Sequence, residues 1–284
     1  MPRIAYVNGR YLPHRQASVH IEDRGFQFAD GVYEVIAITA GKLVDIEPHL
    51  DRLNRSLGEL NIPWPVSRQA FGLILREVIR RNRVTNGSIY LQITRGVAPR
   101  DFSYPGELLP SLVIYARSTK KATIQSASQG HAVISQPDIR WTRCDIKTVS
   151  LLPAVLAKRA ASEAGVADAW FVNEEGIITE GTSSNAWIVT PNNELITRQI
   201  DNLILSGITR LTILKLAETA GLKFTERPFS LEDAKQATEA FTSSSTALVK
   251  PVIEIDGVQI GDGQAGPITR QLIEHYLKYM DDPS

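Results

Sequence analysis

The chain has 284 residues, with 31 basic and 31 acidic side chains, and is 43% hydrophobic and 22% charged, an ordinary make-up for a globular protein. Without net charge it lacks the field that would draw nucleic acid or an anionic membrane, and no run approaches the ~20 apolar residues of a membrane helix. The single cysteine, Cys144, excludes an intrachain disulfide framework; with an N-terminus that lacks a signal-peptide core, it sets the expectation of a cytoplasmic protein.

Taken in order, residues 4–7 and 10–12 flank Asn8-Gly9, which supplies the positive φ angles of a hairpin turn. A strand over 32–38 alternates Tyr33, Val35 and Ala37 on one face with Val32, Glu34, Ile36 and Ile38 on the other. Leucines at 50, 53, 57 and 60 recur at helical spacing and predict a helix over 47–60, with Pro48 tolerated in its first turn. Ser67 caps a second helix over 67–83, whose Arg80, Arg81 and Arg83 suit its negative end. Strands follow over 88–94 and 111–116, joined by residues 95–105, too rich in glycine and proline to be regular. The polar stretch 119–123 is the expected linker between a small α/β domain (1–118) and a larger domain (124–284).

Beyond it, strands over 132–135, 169–173, 223–227, 239–243 and 249–255 alternate with helices over 151–163, 208–219 and 267–279. Hairpin turns are expected near Gly176 and at Asp256-Gly257, and Ser230 with Asp233 reads as the cap of a short helix.

Two stretches carry chemistry. Lys147 follows apolar Ile146, so its stem should enter an interior where desolvation favours the neutral amine, the form that adds to an aldehyde as a Schiff base. Glu180 stands just before the small-residue turn Gly181-Thr182-Ser183-Ser184; buried there, it needs a cationic partner, and a protonated ring nitrogen would serve. Arg52 falls beside the leucine stripe of its helix, where it reads as a covering side chain. Gly207-Ile208-Thr209 opens a helix, whose unpaired amides favour an anion, and residues 242–246 add hydroxyls; each also reads as a cap or polar loop. The five histidines show no metal-ligand spacing, and no glycine-rich nucleotide motif is present.

Arg143-Cys144-Asp145-Ile146-Lys147, Thr179-Glu180-Gly181-Thr182-Ser183-Ser184-Asn185, Asp30-Gly31-Val32-Tyr33-Glu34 and Leu205-Ser206-Gly207-Ile208-Thr209-Arg210 stand together in one chain. In order and spacing they resemble the fold type IV pyridoxal-phosphate enzymes, and within that group the D-amino acid aminotransferases. The resemblance implies a two-domain α+β or α/β fold with the cofactor between domains. It makes Lys147 the catalytic amine, Glu180 the partner of the pyridine nitrogen, Leu205 the residue packed on the ring, and Arg52, Ile208, Thr209, Ser244 and Ser245 the phosphate site.

The resemblance further implies that Tyr33, Val35, Arg100, Phe102 and Thr246 line the substrate. Phe102 departs from the family, which has histidine there, so Arg24 or Arg143 stands as a candidate helper for the substrate carboxylate. The implied reaction moves the amino group of a D-amino acid to a 2-oxo acid, in a homodimer whose Arg100 loop reaches the partner's site. Branched-chain L-amino acid aminotransferases share the Lys147 and Glu180 motifs but usually carry an Asn-Tyr pair shortly after the lysine, where this chain has Ser150-Leu151; (R)-selective primary amine activity in the same fold is the alternative that Phe102 favours. A catalytically silent ligand-binding protein would not need both Lys147 and Glu180. No metal, nucleic acid or membrane partner is expected.

Overall fold

The computed structural model describes residues 3–104 and 106–281. Met1 and Pro2 of the N-terminus, and Pro105, which ends the predicted loop, lie outside the described residues. The chain forms two compact units, one of residues 1–121 with 146–150 and one of residues 122–145 with 151–284. The pentapeptide carrying Lys147 therefore packs with the first unit although it lies in sequence within the second.

In the first unit β1 (Ile4–Val7) and β2 (Arg10–Pro13) form the expected hairpin, with Asn8 at φ 44° and Gly9 at φ 87°. A five-residue helix α1 (Arg24–Phe28), capped by Asp23, precedes β3 (Gly31–Thr39) and β4 (Lys42–Leu43). Helices α2 (Ile46–Glu59) and α3 (Arg68–Asn82) are followed by β5 (Gly87–Thr94) and β6 (Ser111–Ser118). The strands form one antiparallel sheet in the order β2-β1-β6-β5-β3-β4. Its core unites Val32, Ile36, Ile89 and Leu91 of the strands with Leu50, Leu53 and Leu57 of α2 and Phe71 and Leu75 of α3. Both helices thus lie on the face of β3 that carries Val32 and Ile36. Ser67 Oγ accepts from Ala70 N–H at 3.2 Å as the cap of α3.

The second unit starts with α4 (Ile124–Ala127) and β7 (His131–Pro137), followed by α5 (Leu152–Glu163) and β8 (Asp168–Val172). Then come β9 (Ile178–Gly181), β10 (Asn185–Val189), β11 (Leu195–Thr197), α6 (Ile208–Thr219) and β12 (Phe224–Glu226). The unit closes with α7 (Leu231–Lys235), β13 (Glu239–Ser244), β14 (Leu248–Ile255), β15 (Val258–Gln259) and α8 (Pro267–Asp281).

A nine-stranded mixed sheet runs β12-β11-β10-β13-β14-β7-β8-β9, with β15 on β14. Strands β7 and β8 pair in parallel across the α5 connection, and α5 lays Ala157 and Ala161 on Ala169 and Phe171 of β8. Ser230 and Asp233 form the expected capping box of α7. Strand β9 is the second arm of the hairpin expected near Gly176, whereas β10 and β11 were not expected. Every residue of β10 is buried, and a strand covered on both faces loses the polar alternation by which strands are recognised.

Candidate active site

In the first unit, residues 147–149 add to the edge of β3. Tyr33 N–H donates to the Lys147 carbonyl at 3.0 Å and Val149 N–H to the Gly31 carbonyl at 3.1 Å, with Thr148 bridged to Val32. Ile146 is buried in the α2–sheet core. Lys147 is only half-buried, so the expectation of an enclosed amine gives way to one presented on an aromatic surface: its Nζ lies 4.3 Å over the centre of the Tyr33 ring. Tyr33 stacks on Tyr90 at 5.7 Å and Tyr90 on Tyr115 at 5.0 Å, across three neighbouring strands. Val35, opposite Tyr90 in register, shares this half-buried face. Burial, with the neighbouring phenols, raises the Tyr90 hydroxyl well above its ordinary value, and that hydroxyl donates to Gln92 Oε1 at 2.7 Å.

On the opposite face of β3, α2 turns His49, Arg52 and Ser56 inward as a polar stripe beside its leucines. Arg52 is buried and grips Glu34, Nε donating to Oε1 and Nη2 to Oε2, both at 2.7 Å. It is therefore more than the covering side chain its helical position suggested. His49 Nδ1 lies 2.8 Å from Glu34 Oε2, and Ser56 Oγ accepts from the Lys147 backbone N–H at 3.3 Å. Burial alone would raise the Glu34 carboxyl, but the charge and hydrogen bonds of Arg52, with those of His49, hold it far below the usual range. Burial pushes His49 below its ordinary value despite Glu34. The histidine is thus neutral, with Nδ1–H donating to the carboxylate.

Arg100 and Phe102 gather elsewhere in the unit. The Phe102 ring, 83% exposed, lies 5.5 Å from Phe28, and the exposed Arg100 guanidinium sits 5.2 Å over the same ring. Arg24 is buried beneath them: Nε donates to Asp30 at 2.9 Å, Nη1 to the Asp101 carbonyl at 2.7 Å and Nη2 to the Phe102 carbonyl at 3.2 Å. Its charge is committed to holding this loop, which removes it as the candidate carboxylate helper. Arg143 is ion-paired to the buried Asp145 at 3.0 Å.

In the second unit, the cationic partner that Glu180 required is Arg140. Arg140 Nη1 donates to Glu180 Oε1, while Nε and Nη2 fork onto Asp138 at 2.9 and 2.8 Å. The guanidinium lies 4.6 Å over the Phe171 ring, and Nη2 also reaches the Leu203 carbonyl at 3.1 Å. Thr179 Oγ1 donates to Asp138 at 2.7 Å. Burial would lower Arg140 and raise Asp138, but their mutual hydrogen bonds and the nearby carboxylates win, leaving Arg140 raised and Asp138 lowered. The other Glu180 oxygen accepts from Asn185 Nδ2 at 3.1 Å and from Leu205 N–H at 3.2 Å. Leu205 therefore meets Glu180 through its backbone, while its side chain is half-buried. Burial raises the Cys144 thiol to about 12, which makes it a packing group rather than a nucleophile.

Helix α6 starts at Gly207 with no side-chain cap, and Ile208 and Thr209 are buried in its first turn. A Cβ at Gly207 would come within 2.1 Å of Asn185 Oδ1, so glycine lets the helix start approach the residue that orders Glu180. Ser244 ends β13, its Oγ accepting from Ala247 N–H at 3.1 Å; Ser245 is half-buried and Thr246 exposed in the following turn. The Ser184 hydroxyl is buried with no protein partner. An uncapped helix start, an unpaired buried hydroxyl and an ordered carboxylate fit the donors and the acceptor that a phosphorylated pyridine requires.

The model of amino-transferase class IV matches residues 31–255. The chain belongs to the class IV aminotransferase family. It is 38% identical to the D-alanine aminotransferase of Staphylococcus haemolyticus over 98% of both chains, and 40% identical to that of Bacillus licheniformis over 93% of both. Among solved structures, the branched-chain amino acid aminotransferase from Escherichia coli superposes with a TM-score of 0.86 at 25% identity, covering 96% of this chain and 92% of that one. A T.th. branched-chain amino acid aminotransferase with pyridoxamine 5'-phosphate superposes at 0.90 and 22% identity, over 99% and 94%, a likeness of fold. This family member is a pyridoxal-phosphate-dependent aminotransferase with a mixed α/β fold.

Sequence reasoning missed Glu34 and His49 as a pair and gave Arg140 no role. The signals were present in the charged residue set among Val32, Ile36 and Ile38, and in the arginine set seven positions before the lysine. Among the described residues no group of three or more His, Cys, Asp or Glu is placed to hold a metal, and no helix is long and apolar enough to cross a membrane.

Proposed function

We propose that this aminotransferase takes the amino group of a D-amino acid of the D-alanine kind and delivers it to a 2-oxo acid in two half reactions. The observation that carries the reading is the near full-length similarity to D-alanine aminotransferases of a chain that presents Lys147 on Tyr33 and orders Glu180 with Arg140. Bound pyridoxal phosphate supplies an electrophilic aldehyde and an electron-accepting ring. In the first unit, Lys147 Nζ supplies the amine and takes and returns the substrate α-proton, and Arg52 faces the phosphate. In the second, the amides of Ile208 and Thr209 and the hydroxyls of Ser244 and Ser245 serve the phosphate. There Glu180 accepts from the ring N–H, kept in place by Arg140, Asn185 and the Leu205 amide, and Leu205 packs on the ring. Tyr33 and Val35 border the substrate beside Lys147, with Thr246 at the turn after β13.

The protein is read as a homodimer. Phe26, Phe102 and Leu109 of the first unit and Leu152, Val155 and Leu156 of the second are 50–91% exposed, and a second copy would cover such surfaces. Arg100 and Phe102 then serve the partner's substrate. A cytoplasmic location is in keeping with the lone Cys144.

Titration of the purified, yellow protein with D-alanine, L-leucine and (R)-1-phenylethylamine in separate cuvettes, without acceptor, tests the reading. Bleaching by D-alanine is expected. Bleaching by L-leucine alone would replace the reading with a branched-chain one. Bleaching by the amine alone would favour an amine transaminase, the reading to which an apolar Phe102 in place of a histidine points.

A further inference from the structure

The residue of the first unit with the most unusual surroundings is one to which the proposed chemistry gives no task. Glu34 is wholly buried, in a row of β3 whose other members, Val32, Ile36 and Ile38, are apolar and equally buried. Packing does not ask for a carboxylate there. Desolvating an ion pair offsets most of its attraction, so an apolar side chain of similar size would stabilise the sheet about as well. What a carboxylate adds is direction. Its two oxygens meet the Arg52 fork at 2.7 Å each, a two-pronged geometry that fixes the guanidinium in plane and rotation. The second oxygen also takes the His49 N–H at 2.8 Å. His49 and Arg52 are three residues apart on α2, so one carboxylate ties two successive positions of the helix to β3.

We propose that Glu34 is the positioning residue of the phosphate site: it aims the Arg52 guanidinium, and with His49 holds α2 in register with β3, so that the arginine meets the cofactor phosphate without first being ordered. The inference rests on the assignment of Arg52 to the phosphate made above. An arginine on a helix, left to itself, samples many rotamers and loses that freedom on binding. Held by Glu34, it has lost it already. Glu34 touches neither cofactor nor substrate in this scheme, so its effect belongs to affinity for the phosphorylated cofactor rather than to the chemical step.

The test uses the full-length protein resolved of its cofactor, titrated with pyridoxal phosphate and separately with pyridoxal, which lacks the phosphate, with tryptophan fluorescence as the readout. Wild type is expected to prefer the phosphorylated form. Glu34→Gln should cut affinity for pyridoxal phosphate at least about tenfold while leaving that for pyridoxal within about threefold. Arg52→Gln should do the same, and the double variant should lose little more than Arg52→Gln, because the two act as one unit. If Glu34→Gln does not fold, Glu34→Asp keeps the charge but withdraws it by one methylene, and should lower the phosphate preference by a smaller factor. A Glu34→Gln or Glu34→Asp protein that keeps the wild-type preference, or weakens both ligands alike with a lowered melting temperature, overturns the proposal. If Arg52→Gln itself leaves the preference untouched, the assignment of Arg52 has failed, and Glu34 falls with it. Loss in Arg52→Gln but not in Glu34→Gln sinks Glu34 alone.

Discussion

Each unit buries a carboxylate against an arginine, and the two pairs are built in opposite senses. In the first, both oxygens of Glu34 grip one fork of Arg52 and a neutral His49 completes the set. In the second, Arg140 is divided between Asp138 and Glu180, and the second Glu180 oxygen takes the amide donors Asn185 Nδ2 and Leu205 N–H. On the proposed reading, the carboxylate serves the arginine in one case, and the arginine serves the carboxylate in the other. The difference teaches that a buried ion pair has no function by itself; which partner is held, and which does the holding, decides which one meets the ligand.

The largest effect should come from the amine that both clusters are expected to serve. Lys147→Ala should reduce the D-alanine half reaction by about 1,000-fold or more, measured as the rate of bleaching. Next is the second cluster: Glu180→Gln should lower kcat about 100-fold, about 2.7 kcal/mol of barrier, with the cofactor still bound. Arg140→Gln should fall in the same range. Should either variant instead release the cofactor at unchanged kcat, the contrast with Glu34 would disappear.

A fourth variant lies outside both clusters. Arg24→Met frees the loop whose Asp101 and Phe102 carbonyls the guanidinium holds. KM for D-alanine should rise about tenfold with kcat changed less than about threefold, the pattern of lost substrate binding.

The first cluster should also be visible in acid. Glu34 and His49 both have values lowered by folding, so the unfolded chain binds protons that the folded chain refuses. Stability is full above the ordinary histidine range and declines as pH falls through about 6.5 and then about 4.5. Thermal melts from pH 8 to pH 4 should show the midpoint falling in that direction. A melting temperature that rose on acidification would contradict the ionised Glu34 beside a neutral His49. The smallest effect belongs to Cys144→Ser. With the thiol raised to about 12, it is protonated at neutral pH, and turnover should change by less than about twofold.

Much of this was legible in residue order. Alternation marked β3 and leucine spacing marked α2, which buries one face and leaves the other wet, while the Ser67 cap and the basic end marked α3. Lys147 and Glu180 were marked by their motifs. Strand β10 and the five-residue α1 were not marked, one because it is buried on both faces and the other because it is shorter than two helical turns. Phe102 was legible as a departure, whereas the commitment of Arg24 to the carbonyls beside it was not.

The sequence by itself determined which side chains are present, which faces of the long elements are apolar, and to which family the motifs belong, since these depend on neighbours within a few residues. Only the tertiary structure decided that Lys147 joins the edge of β3, that Arg52 faces Glu34 across 18 positions, and that Arg140 is divided between Asp138 and Glu180, 40 positions away. The physical reason is that a buried charge must find its partner wherever packing brings one. That partner lies on another element, at a separation that no local periodicity encodes.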